Sequence, residues 1–164
     1  HGQANEELKG MGTTLTAIMF NGAEINIANI GDSRTYMISN NQLFQMTRDH
    51  SLVQEKLNIG LYDRVGAAAD PQKNVLIRTV GFEPEVEVDV YHYKIQKNDI
   101  FMLCSDGLHG KVSDEDILYI VNRFIKNADE VTQAQLDATV HELIAQANAN
   151  GGNDNISVVM AVAK

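Results

Sequence analysis

Three aspartates beside sharp turns are the side chains of this sequence best suited to chemistry. Asp32 stands in "IGDSR", Asp106 follows the apolar run "DIFMLC", and Asp154 stands in "GGNDNIS". Each lies at the end of a predicted strand, where the chain must turn. Because a sheet brings strand ends together, we expect the three carboxylates to converge. Converging carboxylates repel one another unless a proton or a cation neutralises them, and oxygen ligands suit hard cations such as Mg²⁺ or Mn²⁺.

A structural role is the alternative for each aspartate taken alone. Asp32 in Gly-Asp-Ser fits a simple turn, and Asp154 can cap a bend through its side chain. Asp106-Gly107 is a common turn dipeptide. The joint pattern of three aspartates at three strand ends is more specific than any single member, and it favours a shared cation site.

The other reactive side chains fit alternative chemistries poorly. Cys104 is the only cysteine, and the loop after it, "SDGLHGK", has no arginine to bind phosphate, so we predict a buried core thiol. The "GMG" at 10–12 is too short for a dinucleotide fingerprint, and the sequence has neither a Walker loop nor a Gly-x-Ser-x-Gly elbow. His50 and His109 lack the spacing of a helical zinc pair, and we predict that His109 is a surface or loop histidine.

The composition predicts one folded domain over residues 1–164 with a substantial core. Apolar residues make up 44% of the chain, and no apolar run is long enough to span a bilayer. The net charge of −9 disfavours nucleic acid, which is bound through clustered lysine and arginine. One cysteine excludes an internal disulfide and fits a reducing compartment. We therefore predict a cytoplasmic protein without nucleic-acid or membrane partners.

Short strands joined by tight turns must position these aspartates. Strand-like patterns occupy 13–20, 25–30, 34–39, 42–46, 74–80, 86–93, 99–104 and 155–163. Asn21-Gly22 and Asn40-Asn41 are predicted hairpin turns. Two helices follow, one capped by Ser113 and one with a capping box at Thr132 and Gln135. The pattern predicts an α+β fold of antiparallel sheet with helices packed outside.

Five sequence blocks, in this order, resemble the metal-dependent protein phosphatase family, also called protein phosphatase 2C. The blocks are "GMGTT" (10–14), "NIGDSRTY" (29–36), "TRDHS" (47–51), "LCSDGL" (103–108) and "GGNDNISVV" (151–159). A further stretch, "KNVLIRTVG" (73–81), resembles bacterial members. The resemblance covers essentially the whole chain. It implies an α-β-β-α layered sandwich of antiparallel sheets with flanking helices, and a binuclear Mg²⁺ or Mn²⁺ centre at one edge.

The resemblance also implies roles for single residues. Asp106 and Asp154 match metal ligands of the family, and Asp32 matches a ligand of a third, weaker metal in bacterial members. It implies no catalytic residue beyond the metal ligands. Residues 52–80 correspond to a mobile flap beside the substrate groove. His109-Gly110 departs from the acidic residue that often follows "DGL", and Asp70-Pro71 departs from His-Pro, so substrate preference is the property most affected.

The blocks that open the family's domain are not in this sequence. They comprise an arginine that binds phosphate, an early acidic ligand and an Asp-Gly-x-Gly-Gly motif. We therefore expect an N-terminally incomplete chain, the C-terminal portion of a protein phosphatase 2C-like catalytic domain, whose exposed sheet edges allow self-association.

The expected activity of the parent enzyme is hydrolysis of phosphoserine and phosphothreonine in proteins by a metal-activated water. Two Mn²⁺ or Mg²⁺ ions, with a third in bacterial members, would serve the complete domain, which would oppose a cognate serine/threonine kinase. We expect this chain alone to be weakly active or inactive. The alternatives are a non-catalytic phosphatase-like module that binds partners and a cation-binding β-rich module without hydrolytic activity.

Overall fold

The computed structural model describes residues 5–164, and residues 1–4 of the predicted domain lie outside the described range. The strands are β1 (Leu15–Asn21), β2 (Glu24–Ile30), β3 (Arg34–Ser39), β4 (Gln42–Gln45), β5 (Asp89–Lys94), β6 (Ile100–Cys104) and β7 (Val158–Val162). The helices are α1 (Leu52–Asn58), α2 (Arg64–Ala69), α3 (Asp106–His109), α4 (Asp114–Phe124) and α5 (Gln133–Ala149). Short 3-10 turns lie at Glu6–Leu8 and Ala128–Glu130.

The strands form two antiparallel sheets. One has the order β1-β2-β5, and the other has the order β4-β3-β6-β7. The hairpin turn predicted at Asn40-Asn41 is confirmed, and the one predicted at Asn21-Gly22 is displaced by one residue to Gly22-Ala23. Asn40 and Asn41 have φ of 50° and 61°, the conformation that two-residue hairpin loops require. Non-sequential pairing of β3 with β6 places the ends of strands that are distant in the chain at one edge of the larger sheet.

Helices α4 and α5 are fixed locally by the predicted caps. The Ser113 side chain accepts a hydrogen bond from the Asp116 backbone N–H at 3.1 Å. At α5 the capping box is complete, because the Thr132 hydroxyl accepts from the Gln135 N–H and the Gln135 side chain accepts from the Thr132 N–H. Both helix predictions are confirmed.

The main core lies between these two helices and the four-stranded sheet. Its largest fully buried members are Tyr36, Met102, Leu108, Ile117, Val121 and Leu143. A second cluster between the two sheets contains Ile25, Ile27, Met46 and Phe101. Burying an aliphatic or aromatic side chain of this size contributes roughly 1.5–3 kcal/mol. These clusters hold the ends of β3 and β6, which carry the candidate site, in fixed positions.

The predicted sandwich of antiparallel sheets with flanking helices is confirmed, and the described residues supply three of its layers. Helices α4 and α5 form one layer, and the two sheets form the next two. On the far face of the three-stranded sheet, Met19 is 62% exposed and Val90 is 53% exposed. Within residues 5–164 no helix is long and apolar enough to cross a membrane.

Segment 52–80 contains the largest difference between the predicted strands and the strands of the structure. It contains α1 and α2, whose caps are the side chains of Ser51 and Asp63. Residues 74–80 do not form the predicted strand, because they pair only through isolated bridges, Leu76 with Ser51, and Val80 with Thr13 and Glu83. Likewise β5 begins at Asp89 rather than at 86. The alternation of apolar and polar residues predicted extended backbone in both segments. It could not show whether a neighbouring strand pairs with them along their whole length.

Candidate functional site

Asp32, Asp106 and Asp154 all line one cavity of about 750 Å³. The structure therefore brings the three predicted aspartates to the lining of one cavity. Asp49 and Asp114 lie in the same wall, so the cavity is strongly acidic. Among residues 5–164, no three His, Cys, Asp or Glu side chains form a group that could by itself surround a metal ion. The carboxylates face a common space without forming a closed coordination sphere.

The turn that carries Asp32 depends on a glycine and two histidines. Gly31 has φ of +96°, and a β-carbon there would overlap the Thr14 side chain. The Gly31 N–H donates to His50 Nδ1 at 3.1 Å, and the His50 backbone N–H donates to the Gly31 carbonyl at 2.9 Å. On the other side, His109 Nε2 lies 2.9 Å from the Asp32 carbonyl oxygen. Asp32 is thus held at the end of β2 by contacts from two distant segments.

The turn that carries Asp106 is packed directly against the loop that carries Asp154. Asp106 opens the short helix α3, and a β-carbon on Gly107 would overlap the Asn155 carbonyl. The Ser105 hydroxyl donates to that carbonyl at 3.0 Å. This close approach explains why a glycine follows Asp106. The sequence predicted only a turn here, because a four-residue helix leaves no periodic signal.

Asp154 also has a local role within its loop. Its Oδ1 accepts a hydrogen bond from the Asn155 backbone N–H at 2.8 Å. The second carboxylate oxygen retains acceptor capacity, since an ionised carboxylate has about four lone-pair sites. Capping of the bend and participation in a cation site are therefore compatible for this residue.

Burial, together with the nearby carboxylates of Asp106 and Asp49, raises the pKa of the Asp32 carboxyl to about 6. The Asp32 carboxylate is therefore held in a site that penalises its negative charge. A divalent cation would relieve this penalty, and every carboxylate in the wall offers oxygen, the ligand that Mg²⁺ and Mn²⁺ prefer. The residues present therefore fit the metal that the family implies.

Asp49 has a partner, in contrast to Asp32. Arg34 Nε and Nη2 donate to the two Asp49 carboxylate oxygens at 2.9 and 2.7 Å, and Arg34 Nη1 donates to the Tyr36 hydroxyl at 3.0 Å. Burial lowers the pKa of Arg34, but the hydrogen bonds and charges of Asp49 and Tyr36 together outweigh burial and raise this pKa. Sequence reasoning did not single out this ion pair, although each partner stands in a quoted block, "GDSR" and "TRDHS".

Two lysines and a histidine also line the cavity, in addition to its carboxylates. Lys73 from segment 52–80 and Lys111 after α3 both line it, so cationic and acidic groups face one space. His109 also lines it and is only partly exposed, so the prediction of a surface or loop histidine is wrong. Burial, reinforced by the Arg34 charge, lowers the pKa of His109 and keeps its ring neutral. A neutral ring whose Nε2 faces a carbonyl carries its proton on Nε2.

The only cysteine lies beneath the site rather than in it. Cys104 is 2% exposed, and burial raises the pKa of its thiol to about 12. The predicted buried core thiol is confirmed. A thiol that stays protonated and inaccessible is a poor nucleophile.

Known proteins resemble this chain over almost its whole length. The family model of Stage II sporulation protein E matches residues 3–163. A serine/threonine phosphatase stp from Listeria welshimeri is 40% identical over 163 residues, which is 98% of this chain and 60% of that protein. This chain therefore spans less than two thirds of that curated relative's length.

Solved structures extend the similarity to the fold. The crystal structure of the Mycobacterium tuberculosis serine/threonine phosphatase PstP/Ppp has a TM-score of 0.87 at 34% identity, covering 99% of this chain and 64% of that one. The catalytic domain of PstP in complex with two manganese ions has a TM-score of 0.82 at 33% identity, with coverage of 99% and 64%. The relatives that the chain matches are named serine/threonine phosphatases, and the chain belongs to the Stage II sporulation protein E and protein phosphatase 2C-like family.

Proposed function

We propose that the protein containing this chain is a metal-dependent phosphatase that hydrolyses phosphoserine and phosphothreonine in proteins. The observation that carries the proposal is the meeting of Asp32, Asp106 and Asp154 on one cavity. The names of the relatives support the reaction class, and the two manganese ions in the PstP structure support the metal.

In this proposal Asp106 and Asp154 are ligands of the two main ions, and Asp32 is a ligand of a third. Bound Mn²⁺ or Mg²⁺ would lower the pKa of water and neutralise phosphate oxygens. The water oxygen forms a bond to phosphorus while the ester P–O bond breaks, and the departing serine or threonine oxygen takes up a proton. No enzyme nucleophile is required, in keeping with the buried thiol of Cys104.

The chain's own side chains would bind and orient the phosphoprotein. Lys73 and Lys111 line the cavity and can attract a phosphate dianion toward an otherwise acidic wall. Segment 52–80 contributes Val53, Leu57 and Asn74 to the same wall, which supports its assignment as the flap beside the substrate. The Arg34–Asp49 pair holds the wall between these groups in place.

The wider setting follows from the proposed reaction. Phosphorylated proteins would be the substrates, and a serine/threonine kinase would supply them. A reducing cytoplasm fits the reduced thiol of Cys104. Strand β1 lies at the edge of its sheet and carries exposed Leu15, Met19 and Phe20, which supports self-association through that edge.

A non-catalytic module that binds partners is the second candidate. It is favoured by the local role of Asp154, whose carboxylate already caps its own loop. The two candidates differ in one measurable respect. The enzyme hydrolyses phosphate esters when divalent metal is present, whereas the module binds its partner without hydrolysis.

The test is p-nitrophenyl phosphate and phosphothreonine-peptide hydrolysis with added Mn²⁺. It would compare the 164-residue chain with a longer chain extended by its upstream coding sequence. We expect Mn²⁺-dependent turnover that is weak or undetectable in the shorter chain and strong in the longer one. Turnover that persists undiminished in a chelator would contradict the mechanism, and a longer chain that binds phosphopeptide without cleaving it would favour the second candidate.

A further inference from the structure

His109 connects two turns that carry candidate metal ligands. It is the last residue of α3, which Asp106 opens, and its Nε2 lies 2.9 Å from the carbonyl oxygen of Asp32. The two joined residues are 77 positions apart in the chain. One side chain therefore links the Asp106 turn to the Asp32 turn across the cavity wall.

The donor and acceptor roles in this contact are fixed by chemistry. A carbonyl oxygen can only accept, so the His109 ring must donate from Nε2. The bond acts on the Asp32 backbone and leaves the Asp32 carboxylate available to the cavity. It therefore constrains where the carboxylate stands without occupying it.

The opposite side of the same turn is held by a second histidine. His50 Nδ1 accepts from the Gly31 N–H at 3.1 Å, so the His50 proton lies on Nε2, 3.3 Å from Asp89 Oδ2. Asp89 is held in turn by Arg78 at 2.7 Å. His50 anchors Gly31 to the protein interior. The hydrogen bond from His109, by contrast, links the Asp32 backbone to α3.

We propose that His109 is a positioning residue that sets the spacing between the Asp32 and Asp106 carboxylates for a divalent cation. The proposal rests on the proposed function, since it concerns the same cation site. The pattern is that of an outer-shell group, which orients ligands without touching the ion, and removal of such a group typically weakens metal affinity by about 10–100-fold.

The test compares His109→Leu, which removes the donor, with His109→Gln, which places an amide N–H near the former Nε2. Mn²⁺ binding to the longer chain, extended by its upstream coding sequence, would be measured by electron paramagnetic resonance of free Mn²⁺. This measurement needs no turnover. We expect His109→Leu to weaken Mn²⁺ binding by about tenfold and His109→Gln to restore it to within about threefold. His141→Leu, at an exposed histidine on α5, is the matched control and should bind as wild type does.

A structural role alone would change stability without changing affinity, so thermal unfolding of each metal-free variant would be recorded beside the binding curve. If His109→Leu fails to fold, His109→Asn, whose amide is too short to reach Asp32, replaces it. Wild-type binding matched by His109→Leu or His109→Asn would overturn the positioning role alone. Absence of Mn²⁺ binding by the longer wild-type chain, extended by its upstream coding sequence, would overturn the proposed function, and the positioning role with it.

Discussion

Two sets of carboxylates share one cavity wall, and they differ in their partners. Asp49 is bound by the Arg34 guanidinium through two hydrogen bonds and also accepts from Gln45. Within the described residues, neither Asp32 nor Asp106 forms an ion pair. The paired carboxylate is a structural element, whereas the unpaired ones leave negative charge for a ligand to neutralise. Residue type alone would not distinguish the two sets.

The strongest test of the contrast is Asp106→Asn in the longer chain for which we propose activity. We expect Mn²⁺-dependent turnover to fall by more than about 100-fold, because even groups outside the ligand shell cost 10–100-fold when removed. Asp154→Asn should behave alike. Asp137→Asn, on the exposed face of α5, is the control. Retention of full turnover by Asp106→Asn, measured by phosphate release, would remove Asp106 from the site.

Asp49→Ala tests the other half of the contrast. It leaves the Arg34 cation part-buried without its partner, and breaking a buried pair in this way costs about 3–5 kcal/mol. The free energy of unfolding would be measured by urea denaturation. Glu142→Ala, which breaks the exposed pair with Arg123, is the control, with an expected loss below about 1 kcal/mol. Equal losses in the two variants would show that the Asp49 pair contributes no more than a surface contact.

Asp32→Asn should act in the opposite direction on stability. In the metal-free chain it removes a charge that burial and neighbouring carboxylates disfavour. We expect a gain of about 1 kcal/mol at neutral pH, a value discounted because part of the carboxylate is exposed to solvent. Urea denaturation in the presence of a chelator measures it. A clear loss of stability would mean that Asp32 has a structural partner and belongs with Asp49.

The smallest expected effect concerns Cys104, which pairs with Arg34 across β3 and β6 but belongs to neither set. Cys104→Ala should leave the turnover of the longer chain within about twofold, since a protonated buried thiol takes no part in the chemistry. Steady-state hydrolysis of p-nitrophenyl phosphate measures this. A large fall in kcat with unchanged KM would contradict this prediction and would favour a mechanism that uses the Cys104 thiol.

The parts of this molecule that sequence could predict are those encoded locally or by distinctive motifs. Ser113 and Thr132 define helix starts because a capping bond joins residues three apart. The meeting of Asp32, Asp106 and Asp154 was predicted because strand ends at one sheet edge must lie close together. The caps do not depend on which strands are neighbours, whereas the meeting of the aspartates depends on the pairing of β3 with β6.

The parts that sequence missed depend on distant partners. Residues 74–80 alternate as a strand does, yet their pairing is limited to three isolated bridges. His109 gave no signal, because its bond to Asp32 exists only once β2 and α3 have met. The Arg34–Asp49 pair was overlooked for the same reason, since its partners are 15 residues apart, one on β3 and the other in the loop before α1.

The thiol of Cys104 gives the molecule an internal reporter of its own opening. Alkylating reagents attack the thiolate, and a thiol with 2% exposure and a pKa near 12 reacts only after β6 separates from its neighbours. The rate of alkylation under native conditions therefore measures the free energy of that partial unfolding. A ligand that binds only the closed form would slow the labelling in proportion to its occupancy, so one unmodified cysteine can report on binding at a cavity that it does not touch.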